Sequence, residues 1–188
     1  MSWSVLQSKS HTAIASATVA ATFGTNLTSG TKLIAVVSTS GGSNADPSSV
    51  QDGSGNTFTK VASVTRATAL NLWLGYLDTP AGDVGTTPTI TATVAGGGSD
   101  DASILVQEVS GLASGGADGT AGTLAPQFGP GTYGPPAYPS AAANEYLVYA
   151  YGDGGGPRRS PPGPHLLARP CPVPPAGRTS PPSPWQPA

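Results

Sequence analysis

Residues 87–94 read "TPTITATV", and the alternation in these eight positions decides the fold class. Thr87, Thr89, Thr91 and Thr93 fall on one side and Pro88, Ile90, Ala92 and Val94 on the other, the pattern of a strand with one wet face. Outward from there the same logic reads "TAIASATVAATF" (12–23) as a single strand, with Ala13, Ala15, Ala17, Val19, Ala21 and Phe23 on one side. "FTKVASV" (58–64) is another. "KLIAVVST" (32–39) is apolar on both faces, which suits a central strand covered twice. "ALNLWLGYL" (69–77) groups Leu70, Leu72, Leu74 and Tyr76 and sets Trp73 opposite; "ASILVQEVS" (102–110) and "NEYLVYAY" (144–151) complete the set.

Between these runs lie "TSGGSNADPSS", "DGSGN", "DTPAGDVGTT" and "AGGGSDD", rich in residues that suit turns. Helical periodicity is nowhere sustained. The expectation is an all-β domain over residues 1–153, an antiparallel β-sandwich of the jelly-roll-like kind. A long irregular excursion is expected from about 115 to 139, and loops of that length usually carry function or move.

Composition narrows the role. With 188 residues the chain is long enough for one domain with a substantial core, and only 10% of it is charged. Up to Asp153 ten acids face Lys9, Lys32, Lys60 and Arg66, a net charge of -6, whereas Arg158, Arg159, Arg169 and Arg178 make the remainder +4. The body is therefore a poor match for phosphate backbones, and a nucleic-acid partner is not expected. No stretch approaches the ~20 apolar residues of a membrane-spanning helix, and no secretory signal is read at the N-terminus. A hydroxyl-rich β-protein without an export signal fits a particle assembled inside a cell and used outside it, so the expected location is a virion or an extracellular surface.

Against this background, "SVQDGSGNTFTKVASV" (49–64), "LWLGYLDTPAGDV" (72–84), "TITATV" (89–94) and "ILVQEVSGL" (104–112) occur in sequence. In that order, over roughly residues 12–112, they resemble a jelly-roll-like β-sandwich domain of tailed-phage virion proteins and some bacterial surface proteins. The resemblance rests on a turn from Asp52 to Asn56 and on Glu-x-Ser-Gly from Glu108 to Gly111. It implies a structural or adhesive role, partners among other virion or surface proteins, a homo-oligomer, and no enzymatic motif. It also implies further strands after "NEYLVYAY", where this sequence departs.

Residues 154–188 hold 12 of the 20 prolines. Proline supplies no donor to a sheet ladder, so the segment is not read as a closing strand. Two accounts of it stand: a disordered, polyproline-prone tail, or the product of a reading frame that slipped near 154–158.

Chemistry-bearing residues are few. His11 and His165 are far apart, and Cys171 is alone, so neither a metal site nor a triad is expected. His11 is read as capping the start of a strand. "GPGTYG" (129–134) matches a dinucleotide glycine pattern by letter but is followed by "PPAYP" and not by a helix. "DGSGN" starts like a calcium loop, yet Ser63 stands where the bidentate Glu belongs. It is read as a tight turn with Asx hydrogen bonds and a positive φ at Gly55, with Asp52, Gly55 and Asn56 structural. A calcium held between loops is the alternative. Asp100 and Asp101 point to opposite sides and are expected to keep an edge soluble. Glu108 is expected to be semi-buried and bonded to the turn at Gly111. No cofactor and no catalytic residue is assigned. The residues assigned to ligand binding are the aromatics Trp73, Tyr133 and Tyr138, which would stack on a cell-surface glycan if the chain is a carbohydrate-binding or adhesin-like module.

Overall fold

The computed structural model describes residues 3–41, 45–66, 70–95, 100–113, 146–151 and 165–170, the last two segments by their backbone alone. In order these form β1 (Ser4–Ala13), β2 (Thr18–Thr22), β3 (Lys32–Ser40), β4 (Ser49–Gln51), β5 (Thr59–Arg66), β6 (Leu70–Asp78), a 3-10 turn (Ala81–Asp83), β7 (Thr89–Thr93), β8 (Asp101–Ser110), β9 (Tyr146–Tyr151) and β10 (His165–Pro170). All pairings between strands are antiparallel. One sheet has the order β1-β8-β3-β6-β5, a second β2-β7-β4, and β9 pairs with β10.

The five-stranded and three-stranded sheets face each other across one apolar layer. Leu33, Ala35, Val37, Trp73, Ala102, Ile104 and Val106 come from the larger sheet, and Val19, Ala21, Ile90, Ala92 and Val50 from the smaller. The strand at 87–94 shows why: Ile90 and Ala92 are fully buried while Thr89, Thr91 and Thr93 stay half-exposed. Each fully buried Leu or Ile contributes about 1.5–3 kcal/mol, so this layer is the main source of cohesion.

β3 lies in the middle of its sheet and is buried along nearly its whole length, on both faces. Its second face, with Ile34 and Val36, continues into Leu70 and Leu72 of β6 and Val109 of β8, all buried, and β9 lies against β6. The edge strands β1 and β5 each carry a register shift, at Val5/Gln7 and at Lys60/Ala62. Such bulges twist an edge away from further pairing.

Three readings of the sequence are corrected. The run at 12–23 is two strands: β1 ends at Ala13, Ala15 adopts φ 46, and β2 begins at Thr18 on the opposite sheet. Asp101 Oδ1 accepts the Ala15 amide at 3.1 Å and the Asp100 carbonyl accepts that of Ser16 at 3.2 Å, so the corner is held by partners far away in sequence, 86 residues in the case of Asp101, beside the local bonds of Ser16 Oγ with Thr18. His11 lies inside β1, opposite Ile104, and caps nothing. Within the proline-rich segment, "HLLARP" forms β10, because its one proline is the last residue. The stretch 115–139 and the rest of 154–188 lie outside the described residues.

Candidate functional site

Four places in the described structure gather polar chemistry. At one end of the sandwich Glu108, 1% exposed, lies on the inward face of β8. Its Oε1 accepts the Thr28 amide at 2.7 Å and the Thr31 hydroxyl at 3.0 Å, and its Oε2 accepts Gln7 Nε2 at 2.7 Å. The Gln7 amide group also bonds the Thr25 backbone at both its ends. One buried acid thereby ties β1 and the 25–31 loop to β8. The partners are these residues, not the turn at Gly111, which follows β8 at φ 77.

The opposite end of the same inward face is lined by Thr39, Asn71, Thr65 and Ser63, and Asp46 closes it from the 45–48 segment. Asp46 accepts Asn71 Nδ2 at 3.1 Å, Ser63 Oγ at 3.2 Å and the Lys60 ammonium. Burial raises the carboxyl of Asp46, but the bonds from Lys60, Asn71 and Ser63 outweigh it and hold the group below the ordinary carboxylate range. Asn71 is fully buried, and its Oδ1 has no partner.

Between the sheets at a third corner, Asp52 opens the turn from β4 to β5. Its Oδ1 accepts the amides of Ser54 at 2.9 Å and Asn56 at 2.8 Å, its Oδ2 accepts Asn56 Nδ2 at 2.8 Å, and Gly55 adopts φ 87. Asp83, from the 3-10 turn, reaches the same spot. Its Oδ1 accepts Ser54 Oγ at 2.7 Å and its Oδ2 lies 3.3 Å from Asn56 Nδ2, so Ser54 and the Asn56 side-chain amide are shared by both carboxyls.

The fourth feature is a cleft of about 230 Å³ lined by Gly30, Thr31, Lys32, Asp78, Thr79 and Leu112. Lys32 Nζ lies 2.6 Å from Asp78 Oδ1 and 4.4 Å from the centre of the Tyr76 ring. The Thr31 and Thr79 hydroxyls bond each other at 2.7 Å, linking this cleft to the Glu108 network behind it.

Of the residues assigned to ligand binding, Trp73 is 4% exposed and packed in the layer between the sheets, so its ring offers no free face. Tyr133 and Tyr138 lie outside the described residues. Asp100 is fully buried and does not serve a wet edge, while Asp101 holds the β1–β2 corner. Asp83, Asp46 and the cleft around Lys32 were not singled out from the sequence. The signals were weak: an acid after Pro-Ala-Gly, an acid before Pro, and a lysine heading an apolar run.

Among the described residues no three His, Cys, Asp or Glu side chains converge as a metal site, and no helix is long and apolar enough to cross a membrane. Comparison with protein-family models, curated proteins and solved structures gave no match for this chain.

Proposed function

We propose that this chain is a noncatalytic structural or adhesive component of a phage particle, a tail, fibre or capsid-surface module with jelly-roll-like wiring. One observation carries the reading: the outward face of the β2-β7-β4 sheet has no charged residue. It presents Thr18, Ala20 and Thr22, then Thr89, Thr91 and Thr93, then Ser49 and Gln51. Its hydroxyls are laddered, Thr22 to Thr89 at 2.7 Å and Ser49 to Thr93 at 3.1 Å. Interface centres are depleted in charge, and a sheet with a dry core behind it keeps its shape when a neighbour docks. The buried acids support the same role, since two of the three networks fix a loop to a strand and the third ties the β4–β5 turn to the 3-10 turn. Self-association through this face, as a symmetric oligomer, is the expected mode.

Sedimentation velocity over a wide concentration range tests this. A concentration-dependent oligomer is expected, abolished by Thr91→Arg at the centre of the face with little change in melting temperature. A monomer at every concentration, together with no binding to purified particles, overturns the proposal.

The cleft beside Lys32, Asp78 and Tyr76 favours a second reading, a carbohydrate-binding or adhesin-like module of a bacterial surface protein. An ion pair and two hydroxyls beside Leu112 suit a small polyhydroxylated ligand. Silence on a glycan array removes that reading.

A further inference from the structure

Asp52 and Asp83 differ sharply in the donors they command. Asp52 takes two backbone amides and a side-chain amide, whereas Asp83, 2% exposed, takes only Ser54 Oγ and the long contact from Asn56. No Lys, Arg or His among the described residues bonds either carboxyl. The turn 51–57 contains no other charge, the 80–86 stretch none besides Asp83, and β2, β4, β7 and the 25–31 loop none at all. On the larger sheet Lys60 is paired with Asp46 and Lys32 with Asp78. Two carboxyls held on one Asn56 amide nitrogen in such surroundings resist ionising together.

We propose that Asp83 and Asp52 share one proton and form a proton-dependent latch between the β4–β5 turn and the 81–86 segment, closed while the proton is held and loosened when it leaves. In the closed form the Asp83 O–H donates to the Asp52 carboxylate. Burial, reinforced by the Asp52 charge, raises Asp83 above the ordinary carboxylate value of 3.8, against the pull of Ser54 and Asn56. Burial also acts to raise Asp52, but the donors from Asn56, Asp83 and Ser54 prevail and keep it below 3.8. The pair titrates as a unit, losing its second proton late.

The latch reaches beyond the two acids. The Thr86 amide and hydroxyl both bond the Asp83 carbonyl, the Leu27 amide bonds the Thr86 carbonyl at 2.8 Å, and the Gly85 amide bonds the Leu27 carbonyl at 2.9 Å. Charging both carboxyls therefore loosens the bridge between Leu27 and Val84 as well as the turn.

The sign follows from linkage. Asp83 binds its proton more tightly folded than unfolded, so its contribution is present at low pH and is lost as pH rises through its folded value. Carboxyl-carbon NMR titration of the wild-type chain tests the sharing directly: one of the two groups is expected to titrate above 3.8 and the other below. Amide exchange corrected for intrinsic rates tests the latch. Protection at Ser54, Asn56 and Gly85 is expected to fall with rising pH between 3.8 and the upper titration of the pair, by at most about tenfold per pH unit, and to level off above it in the wild type, but to stay flat across that window in Asp83→Asn, which keeps a neutral donor toward Asp52. Both carboxyls titrating at or below the ordinary value, or equal pH slopes in wild type and variant, overturns the proposal. If Asp83→Asn does not fold, the wild-type titration decides alone.

Discussion

The Trp73 indole lies over Gly75 on the inward face of β6, filling the space a side chain there would need: a Cβ on Gly75 would stand 2.8 Å from both Trp73 Cζ2 and the Thr59 carbonyl. Backbone blocks one side and the ring the other, so neither yields cheaply. Gly75→Ala is expected to lower stability by about 1–3 kcal/mol, as overpacking does, and Trp73→Ala by about 3–5 kcal/mol. Urea unfolding midpoints measure both. Losses below 0.5 kcal/mol would show that the ring is not the core anchor described here.

Glu108 is an acid whose removal is expected to matter. Glu108→Ala leaves the Thr28 amide without its acceptor near the β1–β8 seam, while the Thr31 hydroxyl keeps the Thr28 carbonyl at 2.8 Å and Gln7 Nε2 keeps the Thr25 carbonyl at 3.0 Å. With one buried donor left unsatisfied and the space of the side chain vacated, a loss of about 1–3 kcal/mol is expected. Hydrogen exchange localises the effect: protection is lost at Thr28 and along β1 before β6.

Asp46 and Lys60 are expected to behave unequally although they form one ion pair. Lys60 is half-exposed, so Lys60→Ala should cost at most about 1 kcal/mol. Asp46→Ala also removes one of the two acceptors of the buried Asn71 Nδ2, which keeps Thr65 Oγ1 at 2.8 Å, and one unsatisfied N–H adds about 1–3 kcal/mol. Because the Asp46 carboxyl is held below 3.8, its contribution is complete above that pH and fades as pH falls through the lowered value. Denaturation midpoints of wild type and Asp46→Asn between pH 5 and pH 2 are expected to converge toward the acid end.

Gly55 offers a purely conformational test. Its φ is 87 and nothing lies within 4 Å of the place a Cβ would take, so Gly55→Ala meets no clash. The cost is the left-handed backbone alone, about 1–2 kcal/mol. Gly55→Asn, which tolerates that region better, is expected to recover part of it in thermal melts.

What a strand declares through its own alternation was legible in the sequence. Ile90 and Ala92 against Thr89 and Thr91, and the doubly covered run of β3, are local patterns that require no knowledge of the partner. The corner at Ala15 was not legible, because alanine carries no turn signal and the bond that fixes it comes from Asp101. β1 itself went unread: Ser8, Lys9, Ser10 and His11 all face solvent, and an edge strand with two wet sides has no period to detect. The sites divide in the same way. The Asp52 turn closes within five residues, whereas Asp83 joins it from 31 residues further on, and the partners of Glu108 lie 77 to 101 positions away. Burial of Trp73 likewise depends on which face of β6 meets the second sheet, a fact held by the tertiary arrangement and not by the residues around it.

β1 pairs along its whole length with β8, Ser4 opposite Ser110 and Ala13 opposite Ala102. During synthesis β1 leaves the ribosome well before β8, the neighbour that satisfies it. At translation speeds of about 5–20 residues per second it waits several seconds for its neighbour, a vulnerable interval for a nascent β-protein. Its serines, Lys9 and His11, which conceal it from pattern reading, also keep it from sticking to other emerging chains until β8 arrives.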